Sequence, residues 1–399
     1  MISDEVRNEF PAGVTFALTF SSPSEPREVR VRYELAPDGT GATAIAECTG
    51  TSTVSCSYTL TSGRGIFIIP GAEITYHWEV EDASGERTST EEKLYTHEDT
   101  RFDFRTLAEG NVTVYYHAGT ESQAPTVLEA AVEAIQRVGA LEQTEVPFPV
   151  KVFVYRTASE MQPAIAPNGG GPGVQILGEV VYSDTAMVSV DTGALDIVRH
   201  EIAHIVTGQA TKGPFGIPGW MNEGISVFSQ SQPLPGHRQA LDTAVRADRA
   251  LTMNQLNSSA TGATGDTVGL YYGQSGDMIR YLVETYGEEK FAELLRTFKE
   301  GATLDDGFDQ VYGFDALGFE NEWRVSTGLE PRAPAPEPTT GATEQARPAP
   351  TSEPGRPSGS ASSDDDGMGA VTIAIIAVLS ALVLASAAGA AVAVRSRLP

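Results

Sequence analysis

The chain has 399 residues, 41% of them hydrophobic, and a formal net charge of −26 at pH 7. That length leaves room for two domains with appendages. The acidic balance argues against nucleic acid as a partner, because phosphate binding needs clustered Lys and Arg, and it reads instead as a solvated surface.

Residues 1 to about 105 alternate apolar and polar positions, as half-buried strands do. Val14, Phe16, Leu18 and Phe20 form one set, Val29, Val31, Tyr33 and Leu35 a second, and Ile74, Tyr76, Trp78 and Val80 a third. Short strands with turn signals at this spacing predict a β-sandwich, loosely similar to an immunoglobulin or fibronectin type III module. Cys48 and Cys56, the only cysteines, flank a Thr/Ser-rich turn. They read as a disulfide closing a hairpin or as two free thiols. His77, His97 and His117 fall singly on predicted strands or their ends and read as structural.

The next region opens with a strand at Val112 to Tyr116 and a helix from Thr126 to about Val138. Strands at Val150 to Tyr155 and Ala186 to Val190 follow, and Met187 to Val190 is the candidate edge strand for extended substrate. Asn168-Gly169-Gly170-Gly171-Pro172-Gly173 reads as a surface loop, and it lacks the ending of a phosphate loop. A helix capped by Asp191 or Thr192 carries Leu195, Ile197, Val198, Ile202 and Ile205 on its apolar side and ends at Gly208. Pro214, Pro218 and Gly219 shape a turn into a helix that runs through Val227 and Phe228. Helices are then expected at His237 to Ala250, Leu270 to Tyr286, Glu288 to Lys299, Asp305 to Tyr312 and Leu317 to Arg324, forming a helical second lobe. His237, in a Pro/Gly-rich approach to a helix, reads as a surface residue.

The capped helix holds His200-Glu201-Ile202-Ala203-His204, and eighteen residues separate His204 from Glu223. Two histidines four apart share one face of a helix, so both imidazoles can reach one ion. Glu201 is rotated about 100° from His200, which sets its carboxylate beside the metal. Catalytic zinc takes three protein ligands and keeps a fourth position for water, and His200, His204 and Glu223 supply that number. The chain has only six histidines, so chance places H-E-x-x-H in roughly one chain in a hundred of this composition. A metzincin would need a histidine at position 210, which is Ala210, and the inverted order H-x-x-E-H is absent.

His200 to His204, the run Trp220-Met221-Asn222-Glu223-Gly224-Ile225-Ser226 and the later Tyr271-Tyr272-Gly273-Gln274-Ser275 together resemble the gluzincin metallopeptidases, most closely the bacterial peptidase MA-like family. The resemblance covers about residues 110 to 325. It implies one zinc ion held by His200, His204 and Glu223, Glu201 as general base, and Tyr272 as the residue that stabilises the oxyanion, with Tyr271 as its alternative. No G-x-M-E-N exopeptidase run precedes the helix, which speaks against an aminopeptidase. Thermolysin-like enzymes carry an Asp four residues after the glutamate ligand. Here that position is Val227, so the groups that orient the histidines must come from elsewhere.

From about Pro331 to Gly367 the composition shifts to Pro, Ser, Thr, Gly and Ala, which reads as a disordered stalk. Gly369 to Val394 runs without a charge and is long enough as a helix to span a bilayer. Asp364 to Asp366 precede it and Arg395 and Arg397 follow, which by the positive-inside rule leaves a short cytoplasmic tail. Met1 to Glu5 begins no signal peptide, so an exported catalytic domain requires a truncated or misassigned start, and the alternative is tail anchoring with the enzyme inside. The charge flanks, the cysteine pair and the linker favour the outside placement.

The expected architecture is α+β. A β-sandwich module (1–105) precedes a zincin-type catalytic domain with a small mixed sheet and a helical lobe (106–330). A disordered linker (331–367), a transmembrane helix (368–394) and a basic tail (395–399) complete it. The expected function is that of an extracellular, membrane-anchored zinc metallopeptidase acting on a peptide or protein substrate. The alternatives are a zinc hydrolase of a non-peptide substrate and a cell-surface binding protein with a vestigial metal site.

Overall fold

A computed structural model describes residues 2–333 except 38, 64–65, 167–177, 191–193 and 259–266. In the N-terminal part, β1 (Ser3–Asn8), β2 (Gly13–Ser21), β5 (Glu47–Thr49) and β6 (Thr53–Thr61) form one sheet in the order β1-β2-β6-β5. The second sheet has β3 (Glu28–Ala36), β4 (Thr40–Ile45), β7 (Glu73–Glu81) and β8 (Arg87–Ser89) in the order β4-β3-β7-β8, with β9 (Lys93–Thr96) also pairing with β7. Alternation drives the packing. On β3, Val29, Val31, Tyr33 and Leu35 are buried while Arg32 and Glu34 face water. They share a core with Val14, Phe16 and Leu18 of β2 and with Ile74, Tyr76 and Trp78 of β7. Cys48 and Cys56 are directly opposite on β5 and β6 and form a disulfide.

The third sheet is mixed, with β10 (Arg105–Glu109), β11 (Val112–Tyr116), β12 (Val150–Tyr155), β13 (Gly178–Tyr182) and β14 (Thr185–Ser189) in the order β10-β11-β12-β14-β13. The β11-β12-β14 run is parallel, and each outer strand is antiparallel to its neighbour. Both faces are covered, which explains the near-continuous apolar run Val-Lys-Val-Phe-Val-Tyr of β12. Val150, Val152 and Val154 pack with α1 (Ala124–Glu142) and α3 (Ala194–Ala210), whereas Phe153 and Tyr155 join the core of the N-terminal sheets. Lys151 at this junction donates to Gly71 O at 3.0 Å and stands 3.5 Å from both Glu73 and Asp184. The Tyr155 hydroxyl bonds Asp99 at 3.1 Å, and Arg101 bridges Asp99 to the carbonyl of Glu160 in the short α2 (Ala158–Met161).

The remaining helices are α4 (Gly219–Ser229), α5 (Pro235–Arg246), α6 (Met253–Leu256), α7 (Val268–Tyr286), α8 (Glu288–Lys299), α9 (Leu304–Tyr312) and α10 (Ala316–Ser326). They enclose a core that includes Trp220, Ile279, Phe291, Phe308, Phe319 and Trp323. On α8, Phe291, Leu294, Leu295 and Phe298 repeat at helical spacing, while Glu288 and Glu289 in the first turn and Arg296 and Lys299 in the last complement the helix dipole.

The structure corrects several of these expectations. Met187 to Val190 is no edge: Thr185 to Ser189 pairs with β12 on one side and β13 on the other, and β13 ends the sheet among the described residues. The α+β architecture stands, but its transmembrane component does not. No helix among the described residues is long and apolar enough to cross a membrane. The longest, α1 and α7 at 19 residues each, carry Glu129, Glu133 and Arg137, and Asp277, Arg280 and Glu284. The single-pass placement at a cell membrane, with the catalytic domain extracellular and the C-terminus cytoplasmic, and the membrane as a partner, are corrected with it. The expected span at 368–394 lies outside the described residues. So do the tail at 395–399, the stalk beyond 333, the Gly-rich loop at 168–173 and the Asp191 and Thr192 caps.

Candidate metal centre

Helix α3 packs against the sheet through Ile197, Val198, Ile202 and Val206, which turns His200, Glu201 and His204 away from that core and toward α4. The two imidazoles meet edge to face, with Nε2 atoms 3.2 Å apart. Glu223 Oε2, from the second turn of α4, lies 3.3 Å from the His200 Nε2 and 3.5 Å from the His204 Nε2. Three ligand-type atoms therefore form a small triangle, and His200, His204 and Glu223 could together hold a metal ion. All three residues are buried.

Two glycines allow the close approaches that build this geometry. A Cβ on Gly224 would stand 2.6 Å from Ser275 O and 2.7 Å from the Ile279 side chain, so α4 crosses α7 with backbones nearly touching. A Cβ on Gly178 would stand 2.6 Å from the Glu201 Oε1 and 2.7 Å from Ile197, so edge strand β13 runs directly against the Glu201 carboxylate. That carboxylate is fully buried, and the backbone of Val180 on β13 is its nearest polar support.

The electrostatics follow from burial and close charge. Burial pushes the Glu201 carboxyl up to about 8 against the pull of His204, and the Glu223 charge adds to the rise. For His204 burial disfavours the charged ring, but Glu223 above all outweighs it and raises the histidine to about 9. Burial holds His200 below its ordinary value despite Glu223. Glu223 is held low because His204 and His200 overcome the effect of its own burial. This cluster of mutually compensating charges around one point is what a bound cation would replace.

Tyr272 and Tyr271 both border the cluster. The Tyr272 ring lies 6.1 Å from that of His200 and stacks at 5.1 Å on His237, while Tyr271 is raised by burial and by Glu223. His237 is not on the surface: it is 3% exposed, because α5 packs against α7, and neither ring nitrogen has a hydrogen-bond partner among the described residues. Three further neighbours escaped the sequence reading, one of them Asn222, whose side chain hydrogen-bonds His204. Ser226 Oγ is 3.1 Å from the His204 Nδ1, and the Gln230 amide is 3.5 Å from the His200 Nδ1. The signal for them was present as polar residues 222, 226 and 230, four apart along α4 and its C-cap.

No curated protein matches the chain. The family model described as the Peptidase MA superfamily matches residues 130–328, from within α1 to just past α10. The part of the chain that brings His200, His204 and Glu223 together is thus a metallopeptidase-like domain similar to that superfamily.

Proposed function

We propose that residues 106–330 form a zinc-dependent peptidase domain that hydrolyses peptide bonds, and that residues 1–105 form a β module supporting its sheet. The observation that carries this reading is the triangle of His200 Nε2, His204 Nε2 and Glu223 Oε2, with sides of 3.2, 3.3 and 3.5 Å. Ligands about 2.0–2.1 Å from a tetrahedral zinc ion stand roughly 3.3 Å apart. Two imidazoles with one carboxylate are also a donor set that suits zinc better than calcium or magnesium, which favour oxygen ligands.

When bound, zinc lowers the pKa of a coordinated water and polarises the scissile carbonyl. Glu201 lies outside the triangle, buried where β13 passes it. It takes the proton from the attacking water and later delivers it to the leaving amine. Its upward shift brings it near the range where both transfers are feasible at neutral pH, and a nearby dication would draw it back down. Tyr272, beside His200, donates its hydroxyl to the developing oxyanion. The outer edge of β13, which presses on Glu201, accepts the extended substrate as an added strand.

The test is cleavage of casein or a peptide library by the full chain. Turnover should vanish with 1,10-phenanthroline and return with zinc. Glu201→Gln should retain zinc and lose hydrolysis by several orders of magnitude, on the scale known for units acting together in catalysis. Undiminished turnover in that variant would remove Glu201 as the base, and failure to cleave any peptide when zinc-loaded would remove the peptidase reading.

A further inference from the structure

Helix α4 supplies more than Glu223. Because both Nε2 atoms face the Glu223 carboxylate, each Nδ1 points away from the cluster, and a histidine that binds metal through Nε2 carries its proton on Nδ1. Each Nδ1–H needs an acceptor, usually a carboxylate or a carbonyl, to fix the tautomer and the ring plane. The sequence offers no carboxylate one turn beyond Glu223, where Val227 stands.

Both acceptors lie along a single stripe of α4. Ser226 Oγ is 3.1 Å from the His204 Nδ1 and also 3.1 Å from the carbonyl of Asn222, one turn back. The hydroxyl proton is committed to that carbonyl, so its lone pairs face His204, and the imidazole N–H donates. Gln230, immediately after α4 and one turn beyond Ser226, places its amide 3.5 Å from the His200 Nδ1. Its Oε1 has no hydrogen-bond partner among the described residues, and the side chain is buried. Amide oxygen and nitrogen are alike in shape, so turning the group by 180° gives the orphaned oxygen a partner and the His200 Nδ1–H an acceptor in one step.

We propose that Ser226 and Gln230 are the positioning residues of this metal centre, an uncharged outer shell carried by the same helix that provides the third ligand. The assignment rests on His200, His204 and Glu223 holding zinc. The outer partners add no charge of their own, and a carboxylate in place of Gln230 would make the His200 imidazole a stronger donor to the metal.

Competition for Zn2+ between a chromophoric chelator and the full-length chain tests the assignment, with circular dichroism of each variant as a check on folding. Ser226→Ala and Gln230→Leu should each weaken zinc binding about 10- to 100-fold. Ser226→Thr, which keeps the hydroxyl, should remain near the wild type. Gln230→Glu should bind zinc more tightly, a gain that misfolding cannot produce. Wild-type affinity in both Ser226→Ala and Gln230→Leu, while His200→Ala loses zinc, would overturn the positioning roles and leave the metal centre intact. Gln230→Glu binding no tighter than the wild type would overturn the role of Gln230. Absence of zinc binding by the wild type would instead sink the metal centre itself.

Discussion

Glu142, at the end of α1, takes a 2.6 Å hydrogen bond from the Thr207 hydroxyl of α3 on one oxygen and has no hydrogen-bond partner among the described residues on the other. Burial pushes it up to about 8 in spite of that bond. The folded state therefore keeps a proton that the unfolded chain gives up near the ordinary glutamate value of about 4.3. The sign follows directly: the contribution to stability is complete below that lower value and is lost as pH rises through about 8. Glu142→Gln, which cannot ionise, should gain stability relative to the wild type as pH is raised across that window, read as diverging thermal melting curves. Parallel curves would show that Glu142 is already charged in the fold. A second residue-scale outcome concerns the paired tyrosines. Tyr272→Phe should lower kcat by about 10²- to 10³-fold with zinc content unchanged. Tyr271→Phe should cost less, and the reverse order would move the oxyanion role to Tyr271.

The α4–α7 crossing sets the distance between Glu223 and the tyrosines. Gly224→Ala should separate the helices and cost roughly 1–3 kcal/mol, as overpacking of a filled core does. A denaturant titration matching that of the wild type would show the crossing to be slack. Elements whose apolar period lies wholly within one segment were legible in advance: the predicted strand Val150 to Tyr155 is β12, and the predicted helix Glu288 to Lys299 is α8. Strand β13 was not, because Gly-Glu-Val-Val-Tyr has no clean alternation and owes its place to pairing with β14 and to contact with Glu201. The strong apolar run of β14 was read as an edge, whereas it marks a strand covered on both faces and paired on both sides. His237 was misplaced for a related reason: Pro235 and Gly236 look like loop chemistry, yet they open a helix whose packing on α7 is a tertiary effect.

At the scale of the molecule, the N-terminal sheets and the peptidase-like domain share a core, with Phe153, Tyr155, Met161 and Met187 packed among the same residues as Phe16 and Trp78. Residues 106–333 expressed alone should expose that face and aggregate or lose cooperative unfolding. A soluble fragment that melts cooperatively and binds zinc would show the two parts to be independent. The cluster of His200, His204 and Glu223, which could hold a metal ion, was the most legible grouping, since two of its members are one turn apart on α3 and the third sits on the next helix. Their outer partners were hidden because hydrogen bonding across α3 and α4 depends on how the helices meet. The most direct test of the account is zinc content per chain in the purified full-length protein and in Glu223→Ala. The account predicts one zinc in the first and none retained in the second. A wild type without bound zinc, or Glu223→Ala with a full equivalent, would contradict it.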